Sequence, residues 1–277
     1  MIAGQNKYWG RNIEESIKLW TNLDVKHLMI KETKDINLIK PDGKINTETF
    51  KKLGKLQDEY DIKFHVHPYR VSVQVQQGEI FLDMLSEYAR KIYKNILQEM
   101  DKQIQINGLY PLIDLHLTTL DDPKLGHKQS ENEGIKAGKE FFQDLELESK
   151  IALETMHDPY RNPGFSLLGY KAKHFSEIIK DKKNIGICID TGHLFMANEP
   201  LNNFLNLPYP ILSIHYNGCD GKTDSHHMPN KNNIKEPEKI EKLLKIEGPV
   251  VLEIRNYNYS EKAMKKLIEN TKAGKIV

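Results

Sequence analysis

Cysteine is scarce in this chain: only Cys188 and Cys219 occur among 277 residues. Two thiols cannot frame a disulfide scaffold, and a reducing compartment suits them. Long apolar runs are missing too. No stretch approaches the roughly 20 apolar residues that a membrane span needs. The opening residues, MIAGQNK, carry no charged segment followed by an apolar leader. We therefore expect a soluble, cytoplasmic, monomeric protein with no membrane partner. Excess charge of one sign is also absent, since the formal net charge is +1. No global field recruits nucleic acid, so any such binding must come from a local patch. Repeats, low-complexity linkers and breaks in composition are absent as well. Residues 1–277 are expected to form a single domain.

What is present is alternation. Apolar runs at 1–4, 26–31, 62–67, 111–116, 150–154, 185–190, 211–215 and 249–254 read as strands, several dense in Ile, Leu and Val. The stretches between them read as amphipathic helices. Residues 12–22 open with Asn12 and Glu15 in capping-box spacing. Residues 47–60 carry Phe50, Leu53 and Tyr60. The longest pattern, 79–105, lines up Phe81, Met84, Leu85, Tyr88, Ile92 and Ile96 on one stripe. Further helices are expected at 131–147, 170–181 and 237–246, the last with Pro237 in its first turn. Ser260 caps a final one, and 195–209 gives a short helix at most. Eight unbroken strand–helix units define an α/β chain and predict a single (β/α)8 TIM barrel. A doubly wound sheet would want a Gly-rich turn after the first strand, where Gly4 stands alone.

Nine residues suited to metal sit at or just past the ends of these runs: His67, His116, Glu154, Asp190, His193, His215, Asp224, His226 and Glu253. Imidazoles and carboxylates are what zinc and manganese prefer. Alternation along a strand puts Asp190 on one face with Cys188 and Gly186, and His215 with Ser213. Glu154 shares a face with Ala152, and Glu253 with Val251. Leu212 and Ile214 then point outward. Asp190, His215, Glu154 and Glu253 fall at C-terminal strand ends, where barrel active sites form, and His193, Asp224 and His226 lie on the loops that follow. Grouped on one rim, they would repel one another or stay unpaired without a cation. His65, His127, His157, His174 and His227 lack the position or the pattern and read as structural or surface residues. Cys219 lies in a loop and reads as a weak ligand candidate.

The pieces His67-Pro-Tyr69, His116, Glu154-Thr155, Asp190-Thr-Gly-His193, His215-Tyr-Asn217, Asp224-Ser-His226 and Glu253 resemble the endonuclease IV family of apurinic/apyrimidinic endonucleases. The resemblance implies up to three Zn2+ ions, with Mn2+ as another candidate. His67, His116 and Glu154 would hold the first. Glu154, Asp190, His215 and Glu253 would hold the second, and His193, Asp224 and His226 the third. It further implies hydrolysis of the DNA backbone 5′ to abasic sites by metal-bound hydroxide, with Glu154 and Glu253 in catalytic positions. Tyr8, Trp9, Arg11, Tyr69, Arg70 and Asn217 would meet the substrate. The wider xylose isomerase-like superfamily shares Glu154, Asp190, His215 and Glu253, and there the implied function is a metal-dependent sugar or sugar phosphate isomerase or epimerase. Its implied partner is a small sugar in place of DNA. His67, His116 and the Asp224-x-His226 pair separate the two readings. The segments LTTLDD after His116 and HMPNKNNIKEP at 227–237 depart from the endonuclease pattern, which carries glycine there.

Overall fold

The computed structural model describes residues 1–7, 12–68, 72–75, 78–82, 84, 86–122, 127–157, 166–180, 182–197, 199–255 and 259–276. Strands Ile2–Gln5, His27–Lys31, Lys63–His67, Leu112–Leu115, Lys150–Glu154, Ile185–Asp190, Ile211–Tyr216 and Val250–Leu252 close into a barrel. Every barrel pair is parallel. The expected (β/α)8 fold is therefore the observed one. Each strand begins and ends within two residues of its expected run. No helix among the described residues is long and apolar enough to cross a membrane.

Local chemistry sets the helix boundaries. Asn12 caps Ile13–Asn22 by accepting from the Glu15 amide, and Ser130 with Glu133 forms a full capping box before Glu131–Gln143. Pro237 begins Pro237–Leu243, where a missing N–H costs nothing. The long pattern at 79–105 is corrected. Gly78–Phe81 pairs with Ser72–Val75 as a hairpin, and the helix starts only at Glu87. Ser86 accepts from the Ala89 amide and so fixes that start. Tyr88 is consequently exposed, and the buried stripe runs through Ala89, Tyr93, Ile96, Leu97, Met100 and Ile104. Leu85 lies outside the described residues. The helices expected at 131–147, 170–181 and 237–246 are shorter, ending at Gln143, Ile178 and Leu243. Residues 195–209 hold parts of two short helices, Thr191–Met196 and Leu201–Leu205.

The main apolar core lies between strands and helices, with Ile187, Ile189 and Ile214 among its members. Two small clusters lie apart from it: Ala3, Met29 and Val251, and Leu112, Ala152 and Cys188. By strand alternation these share the inner face with the ligand candidates above them. Leu212 departs from strict alternation. It packs on the inner cluster because the pairing shifts between Ile187↔Ile211 and Cys188↔Ser213, which inserts Leu212 as an extra residue.

Candidate metal centre

The barrel gathers all nine candidates at its C-terminal rim. His67, Glu154 and Asp190 are the last residues of their strands, His215 is next to last, and His116 and Glu253 follow theirs by one. Glu154 is the hub. Its Oε2 lies 3.2 Å from His67 Nε2, 3.1 Å from His116 Nε2 and 3.2 Å from His215 Nδ1. His215 Nδ1 also approaches Glu253 Oε2 at 2.9 Å. His193 Nε2 and His226 Nε2 face Asp224 at 3.5 and 3.1 Å. Among the described residues, four buried groups bring ligand atoms within 4.8 Å of one another. Three of them draw on the nine: His67–Glu154–His215, Glu154–Asp190–His193 and Asp190–His215–Glu253.

The rings are oriented as metal ligands require. A neutral imidazole that donates through one nitrogen keeps a lone pair on the other. His67 Nδ1 donates to the Asp114 carbonyl at 3.0 Å, His193 Nδ1 to the Thr155 carbonyl at 2.9 Å, and His226 Nδ1 to the Glu253 carbonyl at 2.8 Å. A carbonyl only accepts, so these contacts place the proton on Nδ1 and turn Nε2 toward the rim. His215 is reversed: Nε2 faces the Asp114 carboxylate and Nδ1 faces the site. His215 Nδ1 and Glu253 Oε2 face each other without hydrogen-bond geometry, and neither finds such a partner. Buried polar atoms left in this way are costly unless something satisfies them. A divalent cation would meet both lone pairs, so the donor set fits the expected ions.

Threonine, glycine and asparagine hold the carboxylates. The Asp190 amide donates to Thr155 Oγ1, and Asp190 Oδ1 accepts from the His193 amide. Asn217 Nδ2 donates to Asp190 Oδ2 at 2.9 Å. A Cβ at Gly192 would lie 1.9 Å from Asn217 Oδ1, which explains glycine in Asp190-Thr-Gly-His193. Asn217, the expected substrate contact, is buried against Asp190 and orients it.

Charge is balanced within the cluster. Burial favours protonated Glu154, but the charges of His215 and His116 outweigh it and hold Glu154 well below the usual carboxylate range. Burial acts the same way on Glu253, and Lys31 and His215 outweigh it. Burial opposes charge on His193, yet Asp190 leads a group of carboxylates that hold it above the usual imidazole range. Burial pulls His67 down to about 4. Protons thus share the carboxylates where cations would, and metal binding would displace them.

Three contributors were not anticipated. Lys31, the last residue of its strand, pairs its buried ammonium with Glu253 Oε1. It reads as an ordinary strand residue until the barrel closes. Asp114 sits beneath His215, bonded to His65, so His65 is a partner of the site. His157 packs its ring 5.4 Å from that of His193. Cys219 turns its thiol to the Thr223 carbonyl. Tyr8, Trp9, Arg11, Tyr69 and Arg70 lie outside the described residues.

A (β/α)8 barrel with a buried imidazole–carboxylate rim defines a class of metal-binding barrel. Residues 133–273 match the xylose isomerase-like TIM barrel model, and the chain belongs to that family. Apurinic-apyrimidinic endonuclease 1 of Saccharomyces cerevisiae is 33% identical over 141 residues, which are 46% of this chain and 35% of that protein. This chain therefore spans about a third of that relative's length. Among solved structures, a D-tagatose 3-epimerase-like protein superposes with a TM-score of 0.69 at 21% identity, covering 99% of both chains. A D-psicose 3-epimerase of Clostridium cellulolyticum H10 gives 0.66 at 14% identity, covering 99% and 97%. At those identities the likeness is one of fold.

Proposed function

We propose that this barrel is a metal-dependent phosphodiesterase that holds more than one divalent ion and cleaves DNA on the 5′ side of abasic sites. One observation carries the reading. Beyond the four ligands that one metal needs, His67, His116, His193, Asp224 and His226 converge on the same rim, and His67, His193 and His226 have Nε2 turned inward. The segment shared with the yeast endonuclease supports it.

A phosphodiester is anionic, and its reaction gathers further charge on the phosphoryl oxygens. Zinc or manganese, when bound, supplies Lewis acidity and lowers the pKa of water toward neutrality. The chain's own residues set the stage. Glu154 Oε2 faces His67, His116 and His215 while its Oε1 faces His193, so its carboxylate spans two ligand groups. Lys31 holds one oxygen of Glu253 and leaves the other facing His215. The His193 amide and Asn217 Nδ2 each hold one oxygen of Asp190 and keep its carboxylate from rotating. Tyr8, Trp9, Arg11, Tyr69 and Arg70 are proposed DNA contacts on their sequence positions alone.

A second reading is a metal-dependent sugar epimerase or isomerase. The solved structures favour it more than the first, since both are of the sugar 3-epimerase type and match nearly the whole chain. Glu154 and Glu253 would then act as acid and base on a sugar carbon, with one metal on the shared quartet. The two part on a joint measurement. The purified protein is assayed for metal content, for nicking of a duplex with one abasic site, and for epimerisation of a ketohexose. Close to three zinc ions per chain, with nicking abolished by chelator, is the expected result. One metal with sugar turnover and no nick would replace the first reading with the second.

A further inference from the structure

Below the rim the barrel interior holds a second polar structure, built from residues outside the nine candidates except for His215. Asp114 lies at its centre, fully buried in the strand Leu112–Leu115. Its Oδ1 accepts from Ser213 Oγ at 2.7 Å. Its Oδ2 meets His65 Nε2 at 3.0 Å and His215 Nε2 at 3.3 Å. Beneath it, His65 Nδ1 lies 2.7 Å from His27 Nε2. His27 in turn stacks edge-on to Tyr110 near the opposite end of the barrel.

The hydrogen bonds are consistent with one direction. His65 donates to Asp114 through Nε2, so in the neutral ring its Nδ1 accepts from His27 Nε2. His27 then donates to His65, and His65, Ser213 and His215 donate to the Asp114 carboxylate. A buried carboxylate is costly unless hydrogen bonds offset it. Three donors converge here on one side chain, and its own carbonyl also accepts from His67 Nδ1. A single residue therefore touches the outward-facing nitrogens of two candidate ligands.

We infer that Asp114 is the positioning residue of the metal centre: it accepts from His215 Nε2–H, fixes that ring's tautomer and presents Nδ1 to the metal. His65 and Ser213 hold Asp114 in place, and His27 holds His65. The inference rests on His215 being a metal ligand, which both functional readings share, and so does not depend on the substrate. Carboxylate partners of this kind typically change metal affinity by about 10- to 100-fold.

Asp114→Asn separates this role from simple core packing. Asparagine has nearly the same size but offers an N–H where the carboxylate accepted. It can turn the His215 ring to the tautomer with its proton on Nδ1. Metal affinity is measured by competition with a chromophoric chelator, and stoichiometry by elemental analysis. The expected result is a protein that melts cooperatively but binds the metal at His215 about 10- to 100-fold more weakly. Metal at the Asp224–His226 side should be kept. Unchanged affinity and stoichiometry in a folded Asp114→Asn protein would overturn the inference while leaving the metal centre standing. A wild type that binds no divalent metal would overturn both.

Ring-nitrogen NMR of the zinc-loaded wild type gives a check that does not depend on a variant folding. His215 should show a protonated Nε2 and a metal-bound Nδ1. The reverse attachment would sink the proposal.

Discussion

Glu154 and Asp224 are both carboxylates facing two or more imidazoles, yet the barrel holds them differently. Glu154 ends a strand hydrogen-bonded on both sides, to Leu112–Leu115 and to Ile185–Asp190. It is 2% exposed and meets His67, His116, His193 and His215. Asp224 lies in the loop after the seventh strand, with its side chain 32% exposed and His193 and His226 beside it. His226 has φ 49°, a left-handed conformation that costs a non-glycine residue roughly 1–3 kcal/mol. Hydrogen bonds from Arg255 and to Glu253 hold it there. The strand-borne part of the centre is therefore built by the fold itself. The loop-borne part carries strain and partial exposure, and a bound ion would complete it.

The largest expected effect tests the strand side. Glu154→Gln removes the charge that His67, His116, His193 and His215 share. Metal content should fall by more than one ion per chain, with affinity at the remaining positions down by more than about a hundredfold. Elemental analysis after desalting reads this directly, and catalytic activity should vanish with it. Full metal content in the variant would show that Glu154 bridges nothing.

Asp224→Asn should do less, and this is what sharpens the contrast. One ion per chain is expected to leave, while those on the strand-borne ligands stay. The melting temperature of the metal-free protein should hardly move, because the lost charge is partly solvated. If the variant instead emptied the whole centre, loop and strand ligands would form one cooperative unit and the distinction drawn above would fail.

The strand-borne half of the candidate site was legible in the sequence by pattern, whereas Asp224 and His226 stood out through the family resemblance. Polar residues at the ends of apolar strands break an otherwise simple pattern, and His67, Glu154, Asp190 and His215 stand out on that ground. The barrel was legible because apolar runs and amphipathic stretches alternate eight times. Lys31 and the column of His27, His65 and Asp114 were not, since their partners are 38 to 222 positions distant and nothing local marks them. The hairpin Ser72–Phe81 was hidden for another reason: Phe81 and Met84 happen to continue the spacing of the helix that follows. Ser86, which starts that helix, was the stronger signal. The loops that would choose between DNA and a sugar carry no comparable regularity.

The smallest effect contrasts a histidine inside the centre with one outside it. Burial pulls both His67 and His174 down to about 4. His174 is not among the candidate ligands and accepts from the Gly169 amide through Nδ1. For each, the folded pKa lies below the unfolded value near 6.5, so the unfolded chain takes up the proton first as pH falls. Stability should be level above about pH 6.5, decline from there to about pH 4, and level again below. Each ring adds a slope of at most about 1.4 kcal/mol per pH unit. Denaturant melts of the wild type and His174→Gln across this window, with and without zinc, read the two contributions. His174→Gln should flatten the slope by about one proton's worth in both conditions. The His67 contribution should change with zinc, because protons and metal compete for that ring. If zinc also erased the effect of His174→Gln, the outer helix layer would be coupled to the centre, and the barrel strands would not be what isolates it.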